Sequence, residues 1–97
     1  MSRLRIRTEA ELDLESASLY LEQQRAGVGY AFLSEADHLF ARIAAGPQLY
    51  EAREDGVRVA LMRRFPYGAY YIADGEDVVV LAVLHLHRAP DTWRLRR

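Results

Sequence analysis

"YGAYYIADGEDVVVLAVLHLH", residues 67–87, decides the fold. Two strand-like runs flank Asp74-Gly75, a pair that supplies the permissive backbone of a tight hairpin. "YGAYYIA" reads as one strand and "DVVVLAVLHLH" as the next. The second run is apolar on both faces until His85, which marks a central strand covered on both sides over much of its length. Alternation sends Tyr70 and Tyr71 to opposite faces, so Tyr67, Tyr70 and Tyr71 cannot all face one way and at least one belongs to the core.

Immediately upstream, "VRVALMRRF", residues 57–65, also alternates. It predicts a strand with Val57, Val59 and Leu61 on one face and Arg58, Ala60, Met62 and Arg64 on the other, with Arg63 turned the opposite way at its end. Earlier still the period changes from two to helical. Val28, Phe32, Ala36, Leu39 and Ile43 form one stripe, widened by Leu33 and Phe40, which predicts a helix over Val28–Ala45. Gly46 suits a C-terminal cap and Pro47 cannot continue the helix.

A first helix, residues 9–25, ends near Gly27. In the text "TEAE" the Thr8 hydroxyl and the Glu11 carboxylate have the spacing of a capping box, and Glu9, Glu11 and Asp13 suit the positive end of the helix dipole. Ala10, Leu14, Ala17 and Leu21 fall on one face as core. Leu12 and Leu19 fall roughly opposite, flanked by Tyr20; they pack against the N-terminal strand or a loop, or they meet a partner. The short connection at Ala26–Gly29 makes the helices an antiparallel hairpin. "RLRIR", Arg3–Arg7, reads as a short strand. The order is therefore β-α-α-β-β-β: an α+β domain over residues 1–97, with a helical hairpin packed on a small, mainly antiparallel sheet and a possible parallel pairing for the first strand.

The bulk composition fits one domain. With 51% hydrophobic and 28% charged residues, the chain has a globular profile. The absence of cysteine excludes disulfides, thiol catalysis and cysteine-based zinc sites. No apolar run nears the roughly 20 residues that span a bilayer, and "MSRLRIRTEAE" lacks a signal-peptide core. The expectation is a soluble cytoplasmic protein with no membrane partner.

Charge is unevenly divided although the net charge is -1. Residues 8–55 carry ten acids and three arginines; residues 56–97 carry seven arginines and four acids. All thirteen cations are arginine, which makes planar bidentate contacts but does not readily act as a base. An acidic first half and a basic second half imply two working surfaces.

Candidate chemistry is thin. His85 and His87 fall on one side of a strand, about 6.5–7 Å apart, but a metal site needs a third ligand, and no acid stands at motif spacing. No metal or cofactor is expected. There is no Gly-rich phosphate loop and no serine in a nucleophile motif. The basic group carries more. Arg58 and Arg64 share a face, Arg63 stands beside them, and Arg88, Arg94, Arg96 and Arg97 cluster with Trp93. Arginine with exposed aromatics binds phosphates and stacks bases, or forms a protein–protein hot spot; an ordinary solvated surface has the same composition.

The step "R-x-F-P-Y-x-x-Y-Y", Arg63–Tyr71, and the ending "V-L-H-x-x-R-x-P-x-x-W", Val83–Trp93, resemble the RelE/ParE superfamily, the toxins of bacterial type II toxin–antitoxin modules. The helix texts "AELDLESASLYLEQQ" and "GYAFLSEADHLFARIAAGPQLY" extend the resemblance over nearly the whole chain. The ParE-like branch is the nearer, through "VLHLHRAPDTW". It implies inhibition of DNA gyrase by binding, with no chemistry performed by the toxin. In that branch Arg63, Arg64, Arg88, Trp93 and Arg94 are target contacts. The RelE-like branch implies a ribosome-dependent mRNA endonuclease, for which Arg58 and Arg64 would stabilise phosphate and His85 or His87 would replace the missing lysine base. A third possibility is a relative without toxicity. Both toxin branches imply growth arrest, a cognate antitoxin and a toxin–antitoxin hetero-oligomer, with Leu12, Leu19 and Tyr20 as antitoxin contacts.

Overall fold

The computed structural model describes residues 2–88 and 91–97; Pro90 of the C-terminal motif lies outside the described residues. The chain runs β1 (Arg3–Ile6), α1 (Thr8–Gln24), α2 (Val28–Ala45), β2 (Glu51–Ala52), β3 (Val57–Leu61), β4 (Tyr67–Asp74) and β5 (Asp77–His85), and then a 3-10 segment, Thr92–Arg96. The sheet order is β1-β5-β4-β3-β2. β1 pairs parallel with β5, and the other neighbours are antiparallel. The expected α+β order holds, with the parallel first strand and one addition: the two-residue β2, too short to show any alternation.

α2 keeps the expected bounds because its apolar stripe is continuous: Phe32, Ala36, Leu39, Phe40 and Ile43 are all buried. They pack on Ala60, Met62, Tyr67, Ala69, Tyr71, Val78, Val80 and Val83 of the sheet. Each large apolar side chain so buried contributes about 1.5–3 kcal/mol. The helices approach closely where Gly29 faces α1, since a Cβ there would stand 2.6 Å from the Ser18 carbonyl oxygen. Glu22 fastens the connection by accepting the N–H groups of Gly27 at 2.8 Å and Gly29 at 2.9 Å.

The capping box at Thr8 and Glu11 does not form. Arg7 still belongs to the sheet, its N–H donating to the Val80 carbonyl at 3.1 Å, and the Arg7 carbonyl then accepts the Glu11 N–H at 3.0 Å. Helix α1 thus starts one residue early, at Thr8, with Arg7 as its extended cap and no side-chain cap bond.

β5 is central and buried, as its composition requires. Its register with β4 shifts between Tyr70, opposite Ala82, and Tyr71, opposite Val80. Leu81 is the extra residue of this bulge, and Leu81 and Ala82 both join the face away from the helices. All three tyrosines are buried: Tyr67 and Tyr71 under the helices, Tyr70 on the opposite face. The Tyr71 hydroxyl donates to the Pro47 carbonyl at 2.6 Å, and burial pushes its pKa up to about 12.

Candidate functional site

The β3–β4 turn is the first candidate, and it corrects the expected strand. β3 ends at Leu61, not Phe65, because Met62 N–H closes back onto the Tyr67 carbonyl at 2.9 Å and Pro66 has no N–H to extend a ladder. Arg64 therefore lies in the turn and does not share a strand face with Arg58. Glu35 of α2 holds the turn, accepting the backbone N–H of Arg63 at 2.5 Å and that of Arg64 at 3.3 Å. Both arginine side chains are left exposed. With His38 and Arg42 of α2 they border an open groove of about 350 Å3. The His38 Nδ1–H donates to the Ser34 carbonyl at 2.8 Å, leaving Nε2 as the ring's other polar atom.

Arg58 has a different task. Its Nη1 donates to the Tyr50 carbonyl at 2.6 Å and more weakly to that of Gln48 at 3.4 Å. It ties the segment after α2 to the start of β3, toward the far end of that strand from Arg64. His85 and His87 do come together, but β5 ends at His85, so His87 lies in a turn and not two places along a strand. The His87 N–H donates to His85 Nδ1 at 3.1 Å, and the rings stand 5.8 Å apart. Burial, then the charges of Arg88 and His87, lower the His85 pKa, which favours the neutral ring. The four residues named for RNA cleavage thus do not form one set. Among the described residues no cluster of three or more His, Asp or Glu side chains could hold a metal ion.

At the C-terminal end the expected cluster is divided. Trp93 is 2% exposed and stacks on Tyr70, with centroids 5.8 Å apart, closing the apolar layer on the sheet face opposite the helices. Its indole is core, which corrects its assignment as an exposed contact. Arg94 lies over Trp93 at 4.7 Å and is compensated by Glu54 at 2.7 Å and Asp91 at 3.4 Å. The Arg94 hydrogen bond holds the Glu54 carboxyl below its ordinary value. Arg96 forks onto Asp13 at 2.5 and 3.1 Å, and its pKa is raised chiefly by that hydrogen bond. Arg97 donates to the Asp55 carbonyl, and Arg7 to the Arg96 carbonyl. Arg88 lies elsewhere, 5.0 Å over the Tyr20 ring on the α1 side.

Asp13 and Arg96 also finish the sheet. β1 pairs with β5 only from Asp77 to Val80. Beyond it, Asp13 accepts the Val83 N–H at 3.0 Å and Arg96 donates to the Leu81 carbonyl at 3.3 Å. Side chains replace the neighbouring strand on that open edge.

The second candidate surface is the outer face of the helical hairpin. Leu12 and Leu19 are 56% and 58% exposed, so the N-terminal strand and loops do not cover them. Leu19, Tyr30 and Leu33 border an inter-helix groove of about 340 Å3. Tyr30, 80% exposed, lies outside the stripes that the sequence pattern marks, and Leu33, expected to widen the core stripe, is 37% exposed. The signal was there: Tyr30 and Leu33 are three apart, on the flank of α2 beside α1. Tyr20 points to the opposite flank of α1, toward Arg88.

The model of the ParE toxin of type II toxin–antitoxin systems, parDE, matches residues 4–90. The chain belongs to the ParE toxin family. The matched span takes in both helices, the β3–β4 turn and the whole of β5, and stops before Trp93. A solved structure described as the chromosomal ParDE TA system from P. aeruginosa has the same fold, with a TM-score of 0.66 over 88% of this chain and 96% of that one. The two are 16% identical in sequence. Among curated proteins, no sequence matches. The ParE fold therefore keeps its shape here with most side chains changed.

Proposed function

We propose that this ParE-family toxin inhibits DNA gyrase by binding, that it thereby arrests growth in the cytoplasm, and that a cognate antitoxin neutralises it. The family match over residues 4–90 carries the reading. The two surfaces support it. The exposed apolar groove of Leu19, Tyr30 and Leu33, with Leu12 on the same side of α1, suits an amphipathic antitoxin helix. Arg63, Arg64 and Arg88, whose guanidinium groups have no ion pair or hydrogen-bond acceptor among the described residues, are the cations left to meet the target. Arg58, the cation first suited to stabilising phosphate, is engaged by carbonyls of its own chain.

The purified protein should inhibit gyrase supercoiling and leave cleaved DNA complexes, while mRNA on translating ribosomes stays intact. Ribosome-dependent mRNA cuts without gyrase inhibition would reverse the assignment. Leu19→Glu together with Tyr30→Ala should retain gyrase inhibition and lose rescue by the antitoxin; retained rescue would move the antitoxin surface elsewhere.

A further inference from the structure

We propose that the groove between α2 and the β3–β4 turn recognises an acidic peptide segment of a partner protein, its carboxylates gripped by Arg42, Arg63 and Arg64. The inference goes beyond gyrase inhibition, and it survives if gyrase is not the target.

Its basis is a contrast in how the arginines are compensated. Seven of the thirteen arginine side chains are bound by acceptors of the chain itself: Arg3 and Arg53 by carboxylates, Arg7, Arg58 and Arg97 by carbonyls, Arg94 and Arg96 as described above. Among the described residues the other six, Arg5, Arg25, Arg42, Arg63, Arg64 and Arg88, have neither an ion pair nor a hydrogen-bond acceptor for the guanidinium. Three of these six border this one groove, with His38 between them. The only acid lining it is Glu35, and both of its oxygens already accept backbone N–H groups of the turn. That contact fixes where the two turn arginines start from and turns Glu35 to the backbone, so the groove holds three guanidinium groups against one carboxylate. Guanidinium forks so placed match carboxylates bidentately.

Charge complementarity selects the occupant. The chain has net charge -1 and a pI of about 6.3, whereas domains that follow a nucleic-acid backbone are generally basic over a whole face. No Phe, Tyr or Trp lines the groove to stack a base, and Phe65, beside Arg64, is half-buried. A short segment with adjacent Glu or Asp side chains meets three forks and then departs.

Fluorescence anisotropy with fluorescein-labelled octaglutamate, on the full chain at low ionic strength, tests this. Saturable binding is expected. Arg63→Ala with Arg64→Ala should weaken it at least tenfold and Arg42→Ala at least threefold, while Arg5→Ala, at the opposite edge of the sheet, leaves it unchanged. Labelled octaglutamine should not bind. Arg63→Lys with Arg64→Lys keeps the charge and should recover part of the affinity, which separates recognition from damage to the turn. No saturable binding by the wild type, equal binding by the double alanine variant, or tighter binding of a 20-base-pair duplex would each overturn the proposal. Gyrase left active by a protein that binds octaglutamate in this residue-dependent way refutes the gyrase reading alone; gyrase inhibited by a protein indifferent to the peptide refutes the groove alone.

Discussion

Arg96 and Arg63 stand in two arginine-rich stretches that the chain uses in opposite ways. Arg96, in the C-terminal 3-10 segment, forks onto Asp13 of α1 and reaches the Leu81 carbonyl of β5. Arg63, in the β3–β4 turn, gives only its backbone N–H to the protein, and its side chain remains in solvent. Near the first, Trp93 fills a sheet face that would otherwise be open, and Arg94 lies between Trp93 and two acids. Beside the second stand Arg42 and Arg64, whose guanidinium groups have no ion pair or hydrogen-bond acceptor among the described residues; Arg64 lies 5.7 Å over the Phe65 ring. Similar residue types thus act as fasteners in one place and as an unsatisfied surface in the other. What separates them is what the nearby carboxylate meets: Asp13 meets the guanidinium of Arg96, whereas Glu35 meets the backbone N–H groups of the turn.

Stability measurements can break this contrast. The largest effect should come from Trp93→Ala, which removes a buried aromatic and opens the second face of the sheet; urea unfolding should show a loss of about 3–5 kcal/mol. A loss under about 1 kcal/mol would mean that the C-terminal segment does not close the core. Arg96→Ala comes next, at about 1–3 kcal/mol, because it leaves Asp13 and the Leu81 carbonyl with unmet polar atoms. A double-mutant cycle with Asp13→Asn should give a coupling above about 0.5 kcal/mol, and additivity would separate the two residues.

A smaller effect should appear in acid. Glu54, its carboxyl lowered by Arg94, contributes stability above the ordinary carboxylate range and loses it as pH falls through the lowered value. Trp93 is the only tryptophan, so its fluorescence reports the segment directly. The emission change should begin at higher pH in Glu54→Gln; identical profiles would remove Glu54 from the account. The smallest effect belongs to Arg63→Ala with Arg64→Ala, within about 0.5 kcal/mol of wild type. A larger loss would make the turn arginines fasteners as well, and the contrast would fail.

How far the sequence revealed these features depends on the range of the interaction. Helix α2 was legible because its stripe and its Gly46-Pro47 stop are local. The hairpin around Asp74-Gly75 was legible for the same reason. The start of α1 was misplaced because a long-range ladder bond from Arg7 to Val80 outcompetes the Thr8 cap. The end of β3 was misplaced because apolar alternation continues through residues that the turn at Pro66 removes from the sheet. The exposed Leu12 and Leu19 were visible as a line opposite the core, but Tyr30 emerges only once α1 and α2 are set side by side.

By itself the sequence determined the periodicities, the breakers and the turn chemistry, and with them the α+β order and the helical hairpin. These follow from interactions within a few residues along one chain. Only the tertiary structure decided which arginines are neutralised, because Asp13 and Arg96 are 83 positions apart, and because Glu35, 28 positions from Arg63, meets the backbone N–H of that residue and not its guanidinium. Such pairings depend on the packing of separate elements, and nothing in the spacing of like-charged residues along a chain records how far each will be from an opposite charge once those elements meet.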